Sequence, residues 1–227
     1  MSLASLLGFV EASHAQESLV TAIDILLEPD ATMVQHAQAD NARLLKAYPK
    51  GFALDPTHQP HLTLIQFVRT ADLDKVYAAA NQVLAKEKAG GWNLKAFKYY
   101  YIPVPPNGIA GIVVQSTEDL LRLQQGLLDA VAPFTEKTGT AAAFVSDDEG
   151  RDIQEGLIEY VANFSAVAAG KKFNPHVTIG VAPEAYLNEM LAEPFEAFTF
   201  SPVGAAVYQL GSFGAARKEL QALSLTQ

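Results

Sequence analysis

Apolar positions along the chain repeat at two spacings, and the switches between them mark the elements. Residues 19–27 are almost continuously apolar and are followed by Pro29, which reads as a buried strand. Asp30 is placed to cap a helix over 31–47. Tyr48-Pro49-Lys50-Gly51 is a turn, and a loop over 55–60 with two prolines leads into a strand over 62–68. Between 72 and 88, Leu73, Val76, Tyr77, Ala80, Val83 and Leu84 recur at helical spacing, and Gly90-Gly91 stops that helix. Strands are expected over 92–102 and 109–115. Asn107-Gly108 makes them a hairpin, and Ser116 would cap a helix over 117–132. The stretch 138–172 is less regular, with an acidic turn over 147–150 that reads as a solvated loop and a helix over 152–168. A strand over 177–181, a helix from Pro183 to Ala192 and strands over 195–200 and 205–210 follow. A tight Gly211-Ser212-Phe213-Gly214 loop precedes a partly apolar tail.

Two of these strands open on the same pattern. Pro60-His61-Leu62-Thr63-Leu64 and Pro175-His176-Val177-Thr178-Ile179 each read Pro, His, apolar, Thr, apolar. Side chains alternate along a strand, so each segment sets an imidazole and a hydroxyl on one face and its apolar residues under helices on the other. Facing each other, the segments would line a cleft with two imidazoles and two hydroxyls. That set suits attack on a phosphodiester: one imidazole takes a proton, the other gives one, and the hydroxyls bind phosphate oxygens. A single His-x-Thr is ordinarily a packed histidine. Repetition of the proline and of the alternation, using two of five histidines, sets this pair apart. His58 and His61 are three apart, a metal-binding spacing on a helix, but Pro56 and Pro60 argue against a helix there, so no metal site is assigned.

Charge and composition narrow the partners. The net charge is −9 over 227 residues, without the Lys and Arg footprint that long nucleic acid needs; a small nucleotide or a short RNA end fits better. Absence of cysteine excludes disulfides, thiolate catalysis and Cys-based zinc sites. No stretch approaches the ~20 apolar residues of a membrane span, so no membrane partner is expected. Residues 1–18 carry a short apolar run and Ser13-His14-Ala15, as at the end of an export signal. No Lys or Arg precedes that run and Glu11 follows it. They are read as an N-terminal arm or helix of a soluble protein, cytoplasmic rather than exported, with a remnant export signal as the alternative. Residues 19–227 are read as one bilobal domain.

The doubled His-x-Thr-x signature resembles the two-histidine (2H) phosphoesterase superfamily, which includes bacterial 2′,5′ RNA ligase-like proteins and cyclic nucleotide phosphodiesterases. The resemblance runs from about Leu19 to about Leu223, and includes the strand over 22–27 and the Val207-Tyr208-Gln209-Leu210-Gly211-Ser212-Phe213-Gly214 ending. It implies an α+β fold with two lobes, mostly antiparallel sheets, outer helices and a central cleft carrying both motifs. It implies phosphoesterase chemistry on a 2′,3′-cyclic phosphate or a 2′,5′-type linkage of a nucleotide or RNA end, with no metal and no cofactor. His61 and His176 would share acid and base work, His61 as acid on the leaving oxygen and His176 as base on water, with the roles exchanging if the reaction reverses. Thr63 and Thr178 would bind the nonbridging oxygens. Further candidates for substrate binding are Tyr101, in a Tyr99-Tyr100-Tyr101 run of which one ring would reach the cleft and stack on a base, and Lys171 and Lys172, which precede the second motif. The separation of the motifs is long for compact members of the family, and 138–172 would hold the surplus as a flap over the cleft. Two alternatives stand beside hydrolysis: a nucleotide-binding sensor without turnover, and an RNA 2′,5′ end ligase.

Overall fold

Strand β1 (Val20–Pro29) is central because both of its edges and both of its faces are covered. The computed structural model describes residues 19–56, 58–146 and 152–226, apart from the side chains of Leu64 and Ile65. The expectations for residues 1–18 and for the acidic turn over 147–150 lie outside the described residues. Helix α1 (Ala31–Ala47) follows β1 through Asp30, as the sequence predicts. The Asp30 carboxylate accepts the backbone N–H groups of Thr32 and Met33 at 3.0 and 3.3 Å and that of Ser201 at 2.9 Å.

The remaining elements are β2 (Leu62–Arg69), α2 (Leu73–Glu87), β3 (Leu94–Val104), β4 (Asn107–Val114), α3 (Glu118–Val131), α4 (Glu155–Val167), β5 (His176–Pro183), α5 (Glu184–Ala192), β6 (Phe198–Phe200), β7 (Pro202–Leu210) and β8 (Ala216–Leu223). They form an α+β molecule with two four-stranded antiparallel sheets, in the orders β2-β1-β7-β8 and β5-β4-β3-β6. Both motif strands, β2 and β5, lie at the edge of their sheets, and the two edges approach each other.

The sheets are not consecutive halves of the chain. β1 and β2 pair with the C-terminal β7 and β8, while the middle of the chain builds the other sheet. The helices cross over as well. α1 leaves the first sheet and packs on β5 and β6 of the second. α3 leaves the second sheet and packs on α2, with Leu120, Leu123 and Leu127 facing Ile25, Leu27 and Leu62 of the first. One apolar cluster runs through both sheets and includes Ile23, Leu84, Ile112, Ile179 and Phe200. Asn41, a buried polar residue on α1, ties this arrangement to the motifs. Its amide donates to the carbonyls of Phe52 and Ile179 at 2.9 and 2.8 Å and accepts from Leu54 N at 2.9 Å.

Two local expectations change. α3 is capped by Thr117, whose hydroxyl accepts Leu120 N at 3.1 Å, and not by Ser116. The tail forms a full strand, β8, on the edge of the first sheet.

Candidate active site

The two motifs hold their histidines in the same way. His61 Nδ1 lies 2.6 Å from the carbonyl of Gln59, and His176 Nδ1 lies 2.7 Å from the carbonyl of Asn174. In each case that carbonyl belongs to the residue before the motif proline. A carbonyl oxygen can only accept, so Nδ1 carries a proton in both rings and Nε2 is the atom that can gain or give one. The proline explains the repetition: it favours an extended approach that places the preceding carbonyl beside the ring two residues on.

Alternation along β1 and β2 places Asp24, Leu26, Glu28, His61 and Thr63 on one face, while Ile23, Ile25, Leu27 and Leu62 face the helices. Asp24 is fully buried between the two motif side chains. Its Oδ2 accepts the Thr63 hydroxyl at 2.9 Å and lies 3.2 Å from His61 Nε2. On the second sheet, Thr178 pairs with Gly111 and His176 with Val113. The adjoining strand, β4, contains no carboxylate. Tyr100 pairs with Gly111 from the other side, and its ring meets His176 edge-on with centroids 4.7 Å apart. A Cβ at Gly111 would come within 2.5 Å of the Tyr100 ring, so the glycine is what lets this ring lie across β4.

These surroundings push the imidazoles apart. Burial on its own would lower the basicity of His61, but the Asp24 carboxylate and the Gln59 carbonyl outweigh it, and the pKa is raised above the usual 6.5. His176 has no carboxylate partner. Burial lowers its pKa below 6.5, the charge of His61 lowers it further, and the Asn174 carbonyl and Asp24 oppose this only in part. Between the two values His61 is charged and His176 is neutral. Around them, burial and then Tyr160 raise the Tyr100 phenol, and burial and then Asp24 raise that of Tyr160. Burial and Glu219 raise Glu28, opposed by His61.

The stretch 138–172 covers part of this face. Phe144 stacks edge-on against Phe67, two turns of the pleat beyond Thr63, at 5.8 Å. Val145 N and Gln209 Nε2 fasten the same segment to β7. α4 packs along β2 and brings Tyr160 into electrostatic range of both Asp24 and Tyr100.

His61, Thr63, His176 and Thr178 therefore belong to the two sheet edges that approach each other, with the imidazoles within electrostatic range. The other sequence candidates are placed elsewhere. Tyr101 lies on the helix side of β3 and donates its hydroxyl to Asn188 of α5 at 2.9 Å; the residue that turns into the cleft is its neighbour Tyr100. Lys172 donates to the Ala166 carbonyl at 2.9 Å, and it and Lys171 are exposed beside α3 and α4. Asp24 is not among the sequence candidates, and Tyr100 is there only as a member of the tyrosine run. The signal for Asp24 is a carboxylate set between Ile23 and Ile25 in the buried middle of a strand, which demands partners. Among the described residues no three His, Asp or Glu side chains converge as metal ligands, and no helix is long and apolar enough to cross a membrane.

No family model matches the chain, and no curated protein does. Solved structures match over nearly its full length. TT0787 of Thermus thermophilus superposes with a TM-score of 0.53 at 17% identity, over 90% of this chain and 98% of that one. E. coli LigT, in a crystal structure with NADP+, gives 0.47 at 14% identity, over 92% and 99%. At these identities the likeness is one of fold, and it rests on the Thermus protein.

Proposed function

We propose that the chain is a phosphoesterase that opens a 2′,3′-cyclic phosphate, or cleaves a 2′,5′-type phosphodiester, of a nucleotide or short RNA end by two-histidine acid/base catalysis without a metal. The observation that carries this reading is a pair of imidazoles fixed alike through Nδ1 but set in unlike surroundings, with Asp24 at Nε2 of His61 raising its pKa and burial lowering that of His176. General acid/base chemistry needs this combination at one pH. A nucleotide sensor would need neither titrating group. The resemblance of the doubled motif to two-histidine phosphoesterases supports the same reading.

In hydrolysis, neutral His176 takes a proton from water as the water oxygen bonds to phosphorus. The bond from phosphorus to the ribose oxygen breaks, and that oxygen leaves with the Nε2 proton of His61. A motif hydroxyl donates to a nonbridging oxygen as its charge grows. Tyr100 beside His176 offers an aromatic face to the base.

The test is hydrolysis of 2′,3′-cyclic nucleotides in excess chelator from about pH 5 to 9, with His61→Ala and His176→Ala beside the parent. The reading expects a bell-shaped profile and a loss of ~100-fold or more in each variant with nucleotide binding retained. Binding without turnover, there and on 2′,5′-linked oligonucleotides, would identify a sensor instead.

A further inference from the structure

The repeated motifs predict two equivalent hydroxyls, and the structure makes them unequal. Thr63 and Thr178 occupy matching positions, two residues after their histidines. The Thr63 hydroxyl donates its one proton to Asp24 at 2.9 Å. The Thr178 hydroxyl makes no hydrogen bond among the described residues, and its cross-strand neighbour is Gly111. A hydroxyl donates once. While Asp24 holds that proton, Thr63 presents only lone pairs to an arriving phosphate.

We infer that Asp24 is a positioning residue that makes the two motifs unequal: it claims the Thr63 hydroxyl and holds the His61 ring at Nε2, leaving Thr178 as the motif hydroxyl that serves the phosphate. The inference rests on the two-histidine reading for its kinetic consequences and on geometry for the rest. Asp24 is fully buried, and one of its oxygens, Oδ2, reaches both motif side chains of β2. A buried carboxylate needs charge-assisted hydrogen-bond partners, and an imidazolium with a hydroxyl supplies two. No such group lies on β4 beside His176, so acid and base roles follow from this asymmetry and not from the motifs themselves. It also means that each time His61 gives up its proton, Asp24 faces a bare Nε2 lone pair, which drives reprotonation of the ring for the next turnover.

Other charged or titratable groups face this pair. Glu28 of β1 lies within range of His61, and Glu219 of β8 acts on Glu28. The Tyr208 hydroxyl of β7 donates to Glu219 at 3.2 Å. Tyr160 of α4 feels Asp24, and His176 of β5 feels both His61 and Asp24. Glu28 would preserve a part of the stabilisation of charged His61 when Asp24 is neutralised, so the shift should be a partial one.

The experiment compares Asp24→Asn, Thr63→Val and Thr178→Val with the parent, using 2′,3′-cyclic AMP as probe and following the His61 ring nitrogens by NMR across pH. In Asp24→Asn the His61 midpoint should fall by about one pH unit or more, since removing the negative charge disfavours the imidazolium. The alkaline limb of the rate profile should move down with it, because the acid must be protonated to act. Thr178→Val should lose ~100-fold or more in kcat, as when an oxyanion donor is removed. Thr63→Val should lose less than ~10-fold and keep its KM. An unmoved His61 midpoint in Asp24→Asn, or equal losses in the two threonine variants, overturns the inference. Should Asp24→Asn fail to fold, the threonine comparison decides alone. If none of the proteins, the parent included, turns the probe over while the His61 midpoint still moves, the phosphoesterase reading fails and the Asp24 pairing with His61 stands.

Discussion

Replacing Asn41 by alanine should destabilise the protein more than any other polar substitution on α1. Asn41 is 4% exposed and its amide donates to two carbonyls, Phe52 O at 2.9 Å and Ile179 O at 2.8 Å, while its own oxygen accepts Leu54 N. Alanine leaves all three groups without this partner. The Ile179 carbonyl lies on β5, against the helix, where water is excluded; Leu54 N is only half-buried and can be wetted. At roughly 1–3 kcal/mol for each stranded buried group, the two carbonyls and the amide together give a loss of about 3–5 kcal/mol. With a urea slope near ~2 kcal/mol/M, the midpoint should fall by about 1.5–2.5 M. Asn41→Asp separates hydrogen bonding from packing, because it keeps the shape but turns two donations into carboxylate facing carbonyl. Its carboxyl would be held above the usual range in the folded state. Destabilisation should therefore be greatest above that folded value and be relieved as pH falls through it, once the acid can donate a proton. A loss under about 1 kcal/mol for Asn41→Ala, or an Asp variant indifferent to pH, would refute the role of this side chain as the clip between α1, β5 and the 52–54 segment.

Other expectations follow from single contacts. Thr117→Ala removes the cap of α3 and should cost about 1 kcal/mol in urea unfolding. Arg43→Ala breaks a bidentate pair with Glu193 at 2.7 and 2.8 Å, but both partners are well exposed, so the loss should stay below about 1 kcal/mol and shrink further in salt. Gly111→Ala drives a methyl into the Tyr100 ring and should cost about 1–3 kcal/mol while displacing that ring from His176, measured as a chemical-shift change at the His176 ring. The raised pKa of His61 stabilises the fold fully below its unfolded value of about 6.5 and is lost as pH rises through the folded value, so His61→Ala should cost more stability near pH 6 than near pH 9. His176, with its lowered pKa, should show the reverse: its replacement relieves a penalty that appears only as pH falls below the unfolded value.

The motif strands and most helices were legible because local signals agree with the fold there. Asp30 announces α1, the Gly90-Gly91 pair marks the end of α2 to within a few residues although the helix itself stops at Glu87 with Lys88 in the left-handed region, and the Pro-His-x-Thr pattern fixes which residues of β2 and β5 share a face. β8 was not legible. Its Arg217-Lys218-Glu219-Leu220-Gln221 core is made of good helix formers, and pairing with β7 overrides that preference on an edge whose charges face solvent. The exchange of strands between the sheets is carried by contacts distant in sequence, such as Ile23 with Gln209, which no local pattern encodes. Three tyrosines in a row carry no local signal that favours Tyr101, and strand alternation with a facing glycine at 111 turns Tyr100 to His176 instead. Asp24 was hidden by its setting: in sequence it is a polar residue amid a mostly apolar strand, and only the approach of β2 reveals that it holds both motif side chains.

The central claim is that two imidazoles, held alike by the carbonyl before a proline, rest in opposite protonation states. The most direct test is an NMR titration of the ring nitrogens of the five histidines, with His61 and His176 assigned by His→Gln variants. The account predicts that His61 titrates above about 6.5 and His176 below it, both with the proton of the neutral ring on Nδ1 or, for His61, on both nitrogens through neutral pH. Midpoints that coincide, or that fall in the opposite order, would contradict it.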